Sequence, residues 1–372
     1  IGFGAGTNAS NLAAEFVLIG SLAGRKYNGV GSTIIGYNAG QYASGSYNTF
    51  VGSQAGEGGT TSAPYSTGIN NTAIGYQALD AFTTGPGNTA VGVNSLGAVT
   101  TGDYNVGLGY NTGAGLTSGA LNVAIGYTAL QADSQGSGTV AIGQQAGLLQ
   151  NFGAVTTYNT LVGANAGNKN LNTGIHFTAI GANAGHYATG SYNTFVGSSA
   201  GRGGTTSAPY SSGENNVALG YQALKVFTTG GYNTTIGVDV GYDLTTGNVN
   251  TAIGFRALYN ETGADQTTAI GSTAGYSQNI TSGITYNTMV GDAAGYYNVT
   301  GKFNTFVGSR AGSGTSGESN SYNTALGNDA LRVVSTGNRN VAIGYSAATA
   351  NTTGRDSVII GNEAGHDITS TV

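Results

Sequence analysis

The sequence predicts an all-β protein, a parallel β-solenoid of about 21 short coils that runs through residues 1–372 as a single repetitive segment. Three observations support this prediction. An apolar residue followed by glycine recurs along the whole chain, commonly every 17 residues. The residues before each glycine have the alternating character of a strand, and charged residues avoid them. Repeats of this length are typical of solenoids, in which each unit stacks on its neighbour.

The repeating unit is clearest in NTAIGYQAL at residues 71–79, which returns with small changes at 216, 250 and 323. Ile, Val or Leu precedes the glycine in all 21 units, Ala follows it by three residues in 18 of them, and Gly or Leu follows by four in all but one. A glycine at a fixed place indicates a bend that needs a positive φ or a close backbone approach. The expected turn glycines include Gly75, Gly92, Gly126, Gly220, Gly254 and Gly344.

The five residues that end at each glycine predict a short strand, because they are too few for a helix. Thr or Val and then Ile should point to one side, and Ala and Gly to the other. Asn opens 14 of these pentads, and stacked coils would join the asparagine amides into a ladder. The expected ladder includes Asn71, Asn88, Asn122, Asn216, Asn250 and Asn340.

The charge distribution predicts self-association. All 27 charged residues lie outside the pentads, so neither strand face carries a charge. A coil of this size has one thin interior, and its second face would ordinarily meet water. We therefore expect the face of Ala and Gly, which permits close approach, to pack against identical chains around an axis.

Composition argues against several other classes of protein. A net charge of −5 without a basic stripe predicts no nucleic-acid partner. No apolar run approaches the ~20 residues of a membrane helix, so no membrane insertion is expected in this segment. The start at Ile1, without Met and within a repeat, indicates a piece of a longer protein.

The NTAIGYQAL, TTG and NTAVG pattern resembles the short repeats of trimeric autotransporter (YadA-like) adhesin heads, and more closely those of phage tail-fibre proteins. The resemblance covers residues 1–372, although units here vary from 16 to 23 residues. It implies a left-handed parallel β-roll in a homotrimer with a structural and attachment role.

A longer repeat is also present, because residues 36–92 recur at 181–237. Both copies contain a unit of 23 residues with an inserted Gly-Thr-Ser-Pro-Tyr stretch. Such insertions should project as loops outside the ladder, and surface loops often carry binding residues. The candidate receptor contacts are Thr60, Pro64, Tyr65, Thr205, Pro209 and Tyr210.

The sequence predicts no catalytic, metal or cofactor site. The three histidines have no Cys or carboxylate pair near them in sequence, and the glycine-rich string at 312–317 lacks a following helix. Carboxylates soon after the turn glycine are expected to be solvated, with an ion site as the alternative. They are Asp239, Asp292, Asp329 and Glu363.

Aromatic residues directly after the turn glycine leave two interpretations open. They either stack on one another to support the turn or hold sugar rings at the surface. They are Phe3, Tyr37, Tyr76, Tyr110, Tyr127, Tyr221, Phe255 and Tyr345.

These features favour a non-enzymatic fibre shaft in a virion or otherwise at the cell surface. A phage tail fibre that binds a cell-surface glycan or protein receptor is the favoured hypothesis, and a bacterial trimeric adhesin head is the alternative. An ice-binding solenoid is a further alternative, because Thr recurs on many strands; shared burial with Ile or Val argues against it.

Overall fold

A computed structural model describes residues 1–7, 15–63, 65–170, 174–206 and 210–369, and these residues form strands and turns without a helix. The chain divides into two compact units, Ile1–Thr189 and Gly190–Val372. Each unit is a parallel β-solenoid. With two exceptions, each described strand is three residues long and belongs to one repeat of the sequence.

In the first unit each strand pairs in parallel with the next one along the chain. The residue pairs keep the sequence repeat in register, as in Thr72 with Thr89 and Ala73 with Ala90. The strands are β1 (Val17–Ile19), β2 (Thr33–Ile35), β3 (Thr49–Val51), β4 (Thr72–Ile74), β5 (Thr89–Val91), β6 (Val106–Leu108), β7 (Val123–Ile125), β8 (Val140–Ile142), β9 (Thr160–Val162) and β10 (Thr178–Ile180).

The second unit repeats this arrangement. Two additional strands of two residues, β15 (Ala264–Asp265) and β17 (Gly283–Ile284), pair with each other. The repeat strands are β11 (Thr194–Val196), β12 (Val217–Leu219), β13 (Thr234–Ile236), β14 (Thr251–Ile253), β16 (Thr268–Ile270), β18 (Thr288–Val290), β19 (Thr305–Val307), β20 (Thr324–Leu326), β21 (Val341–Ile343) and β22 (Val358–Ile360).

The orientation of the strands is opposite to the expected one. The middle residue of the strand, such as Ala73 or Ala252, is fully buried inside its own coil. Its neighbours point outward, and Ile74 remains 41% exposed. The interior is narrow and also holds Leu79, which follows the turn glycine by four residues and is fully buried. The small residue therefore faces the core, and the expectation that it packs against other chains is wrong.

The recurring glycine makes the turn that follows each strand. Gly75 has a φ of 133°, and a Cβ atom on it would lie 2.5 Å from the carbonyl oxygen of Gly92 in the next coil. Both the conformation and the space therefore require glycine. The same backbone conformation occurs at Gly92, Gly126, Gly220, Gly254 and Gly344.

The buried asparagines before the strands form hydrogen-bonded ladders. Asn88 Nδ2 donates to Asn71 Oδ1 at 3.2 Å, and Asn105 repeats this contact on Asn88 at 3.1 Å. The backbone N–H of Asn88 also donates to Asn71 Oδ1, at 2.8 Å. Each rung thus satisfies polar groups of two coils inside the core. Side-chain contacts of this kind continue to Asn122, join Asn216, Asn233 and Asn250, and join Asn323 to Asn340.

Candidate interaction surface

The outward strand face, formed by the first and third residues of each three-residue repeat strand, is uncharged and partly exposed. Its first column contains Thr or Val and its second contains Ile, Val or Leu. Leu108 is 46% exposed and Leu219 is 38% exposed. The Thr column also lies on this face, so the argument against ice binding from shared burial fails. The outward strand face, rather than the Ala face, is therefore the surface available to a partner.

Aromatic side chains flank this face, just before the ladder asparagines. Tyr47, Tyr104 and Tyr158 are each at least 60% exposed. Their φ angles are positive, between 51° and 60°, a conformation that is unusual for bulky residues. In the second unit the corresponding rings of Phe303 and Tyr322 stack at 4.9 Å. These rings extend the apolar surface beyond the strand.

The aromatic residues directly after the turn glycine are also at the surface. Tyr76, Tyr221 and Tyr345 are about half exposed. The rings of Tyr110 and Tyr127, in adjacent coils, stack at 5.4 Å with an interplanar angle of 7°. Because each ring of the pair covers one face of the other, a ligand could reach only the edges and the outer faces. This geometry favours support of the turn at these two residues.

Sequence reasoning missed a tyrosine column in the second unit. Tyr242, Tyr259, Tyr276 and Tyr296 each follow a turn glycine by five residues. Their ring centroids are 5.1, 5.4 and 5.0 Å apart in succession. Lys225 Nζ donates to the Tyr242 hydroxyl at 2.9 Å. The fixed spacing from the glycine was the signal that could have revealed this column.

The inserted loops are anchored more tightly than expected. Ser66 is buried and its N–H donates to the carbonyl of Tyr42 at 3.0 Å, so this end of the insertion belongs to the ladder. Thr60 Oγ1 lies 3.1 Å from the Ser66 hydroxyl, and the Tyr65 ring stacks on Tyr42 at 6.4 Å. Among the described residues of this loop, Gly59 and residues 61–63 are exposed.

The second copy of the loop has the same anchor. Thr205 Oγ1 lies 3.1 Å from Ser211 Oγ, and Tyr210 is partly exposed. Pro64 and Pro209 lie outside the described residues, so the structure assigns them no position. The ends of the loop are thus held against the coil at both copies.

Two of the four carboxylates predicted after the turn glycine, Asp239 and Asp329, form ion pairs. Asp329 Oδ2 lies 2.7 Å from Arg310 Nη2, and its Oδ1 lies 3.6 Å from Arg332 Nε. Asp239 pairs with Arg256 at 3.4 Å. These contacts, rather than simple solvation, account for both aspartates. Among the described ranges, no group of three or more His, Cys, Asp or Glu side chains is arranged to hold a metal ion.

Comparison with protein-family models, with curated proteins and with solved structures found no match to this chain. Within the part of the chain that the structure describes, no helix has the length and apolar character required to cross a bilayer. The functional interpretation therefore depends on the outward strand face and the loops.

Proposed function

We propose that this chain is a structural segment of a homotrimeric extracellular fibre, a left-handed β-roll that carries or contributes to host attachment. A phage tail fibre is the favoured identity, and a bacterial trimeric adhesin head is the alternative. The role is non-enzymatic. The similarity of the repeats to both families supports this proposal, as does the parallel solenoid of each unit.

The observation that carries the proposal is the uncharged apolar surface on the outward strand face. In the first unit it includes Ile74 and Leu108, flanked by Tyr47, Tyr104 and Tyr158. A half-exposed aromatic side chain leaves roughly 100 Å² accessible. The three rings lie three coils apart, and with the exposed apolar strand residues between them they approach the few hundred Å² at which exposed apolar patches mark interaction sites.

A second copy of this chain is the partner that this surface fits best. The surface repeats with the coil, so an identical chain in the same register presents a matching series of Thr, Ile and Tyr side chains. No charge on the strand columns would be desolvated by such contact. Three copies with these faces turned inward would leave the inserted loops outside for a receptor.

The sequence that follows residue 372 in the gene tests the fibre assignment. A trimerising, self-cleaving chaperone there would support the phage fibre, because near-identical coils need a neighbouring domain to set their register. Apolar heptads followed by about four amphipathic strands would instead identify the adhesin. Either result would also show which compartment the chain reaches.

One observation favours an ice-binding solenoid as a second candidate. Six successive repeat strands of the second unit, β13, β14, β16, β18, β19 and β20, begin with Thr on the outward strand face. A regular hydroxyl array of this kind can order water. Thermal hysteresis of the purified chain at a monomeric mass would support this function and contradict the homotrimer.

A further inference from the structure

The asparagine ladder of the first unit is interrupted at Thr139, and a glutamine from the same coil fills the gap. Gln150 Nε2 donates to Thr139 Oγ1 at 2.8 Å. The amide oxygen of Gln150 accepts from Asn159 Nδ2 at 3.2 Å, which resumes the ladder. Asp133 Oδ2 accepts from the same Gln150 Nε2 at 3.1 Å. A hydroxyl, a carboxamide and a carboxyl group therefore meet at one point.

The second unit contains the same arrangement, with each residue 128 positions later in the chain (267 − 139 = 128). Gln278 Nε2 donates to Thr267 Oγ1 at 3.1 Å, and Asn287 Nδ2 donates to Gln278 Oε1 at 3.0 Å. Glu261 takes the place of Asp133 beside the glutamine. The recurrence of four matched positions, three of them with the same residue type, indicates a structural unit that occurs twice in the chain.

Both clusters are shielded from water. Asp133, Thr139 and Gln150 are fully buried, and Asn159 is 1% exposed. Glu261, Thr267 and Gln278 are likewise fully buried. A dry site of this kind protects a reactive bond from hydrolysis.

We infer that Thr139 and Gln150, and likewise Thr267 and Gln278, form intramolecular ester bonds. Thr139 Oγ1 attacks Cδ of Gln150, the Cδ–Nε2 bond breaks, and Nε2 leaves as ammonia. The hydroxyl proton of Thr139 passes to Nε2 and departs with it, so the reaction needs no oxidant, reductant or cofactor. The product is one Oγ1–Cδ ester bond and one ammonia molecule at each cluster.

The neighbouring groups match the needs of this reaction. With Nε2 at 2.8 Å and a C–N bond of ~1.33 Å, Thr139 Oγ1 lies ~3.6 Å from Cδ, close to the distance of a near-attack arrangement. Rotation about the Cγ–Cδ bond of Gln150, which has a broad torsional preference, leaves Cδ in place and turns the open face of the carboxamide toward this oxygen. The Asn159 N–H group is placed to stabilise charge that develops on Oε1.

The buried carboxyl group lies at the leaving nitrogen. Asp133 Oδ1 accepts from the backbone N–H of Gly136 at 3.0 Å and of Phe152 at 3.2 Å, which fixes its orientation. Burial raises the pKa of the Asp133 carboxyl, although these donors oppose the shift. The group can therefore take up and return a proton at Nε2 as the amide is expelled. Glu261 has the same cause for a raised pKa in the second cluster.

The ester would close residues 139–150 of one coil into a covalent ring across its interior. A coil held in this way cannot open without breaking a covalent bond, whereas the other coils open by losing hydrogen bonds and packing. One such ring in each unit would resist local unfolding of the solenoid. This inference does not depend on the identity of the fibre or on its receptor.

The mass of the intact, denatured full-length chain tests the inference. We expect a mass lower than that of the sequence by two ammonia molecules. Chymotryptic cleavage after Leu148 or Leu149 should leave the peptide of Thr139 attached to that of Gln150, and hydroxylamine should separate them. A mass equal to that of the sequence, with no linked peptides, would overturn the inference.

Variants at the nucleophile exclude other sources of ammonia loss. Thr139→Val removes the hydroxyl with little change in shape, so we expect one ammonia loss to disappear while the second cluster retains its own. Thr139→Ser, which keeps a hydroxyl, should retain both losses. If the mass of Thr139→Val falls below its sequence mass by as much as in the natural chain, the lost ammonia does not come from a reaction of Thr139, and the inference is overturned.

Discussion

The phenyl ring of Phe50 occupies the space beside Gly56 that a side chain on Gly56 would need. Phe50 is the middle residue of β3, and Gly56 follows the turn glycine of the same coil by four residues. In the next coil the two positions hold Ala73 and Leu79, both fully buried. The two positions thus share one volume of the core. In the coil of Phe50 the strand residue is large and the second position holds glycine; in the coil of Ala73 the strand residue is small and the second position holds leucine.

This relationship predicts a compensating pair of substitutions. Gly56→Leu alone should overpack the coil and destabilise the protein by about 3 kcal/mol or more, because the ring of Phe50 cannot move out of a close-packed core. Phe50→Ala combined with Gly56→Leu reproduces the Ala73 and Leu79 arrangement and should recover most of that loss. Denaturant unfolding of both single variants and the double variant measures the coupling. Additive effects of the two changes would contradict shared core volume.

The asparagine ladder predicts a large effect for a single rung. Asn233 donates to Asn216 Oδ1 at 3.1 Å and to the Gly247 carbonyl at 2.8 Å, and it accepts from the N–H of Asn250 at 3.0 Å. Asn233→Ala leaves these buried partners unpaired and should cost about 2–5 kcal/mol. The control is Asn260→Ala, since the Asn260 side chain makes one hydrogen bond at a partly buried site, from Nδ2 to the Tyr276 carbonyl. Equal losses of unfolding free energy in the two variants would show that the ladder stabilises the protein no more than an ordinary, partly buried hydrogen bond does.

Asp80 predicts a pH dependence of stability. Burial, with a smaller contribution from Glu57, raises the pKa of the Asp80 carboxyl to about 6. The folded state therefore favours the protonated form, and this group adds stability as pH falls from above 6 toward the ordinary pKa of about 4. Asp80→Asn should raise stability at pH 7 by on the order of 1 kcal/mol, a figure reduced for the partial exposure of the side chain.

Melting temperatures of the natural chain and of Asp80→Asn, measured between pH 4 and pH 8, check this expectation. The variant should lose the part of the pH dependence that lies between about pH 4 and about pH 6. Glu57→Gln should reduce that dependence without removing it, because burial is the larger cause. An unchanged pH profile in Asp80→Asn would contradict the assignment to Asp80.

The inserted loop predicts a sharp limit to tolerated deletion. Removal of Thr61–Ala63 affects only exposed residues and should change the melting temperature by less than about 2 °C. Removal of 58–66 also takes away the N–H of Gly58, which donates to the Asp80 carbonyl at 2.9 Å, and the buried Ser66. We therefore expect the longer deletion to destabilise the coil. Equal melting temperatures for the two deletions would show that the loop ends are not part of the ladder.

The sequence was sufficient to predict the parallel solenoid, because the regular spacing of glycine and asparagine indicates a backbone conformation that repeats in every coil. It did not predict which strand face is buried. Alternation separates Ala73 from Ile74 but does not show that Leu79 enters the same core and leaves room only for Ala. The apolar character of Val and Ile therefore suggested, wrongly, that their side of the strand is the buried one. The side-chain clusters around Gln150 and Gln278 were also missed, because their members are separated in sequence by turns and strands.

The mass of the native particle tests the central claim most directly, that identical chains meet on the outward strand face. Native mass spectrometry at micromolar concentration should show a trimer for the natural chain. Leu108→Lys places a charge on the outward strand face and should yield monomers, whereas Ser118→Lys, at an exposed site in the same repeat, should remain trimeric. A monomeric mass for the natural chain, or a trimer that tolerates Leu108→Lys, would contradict the account.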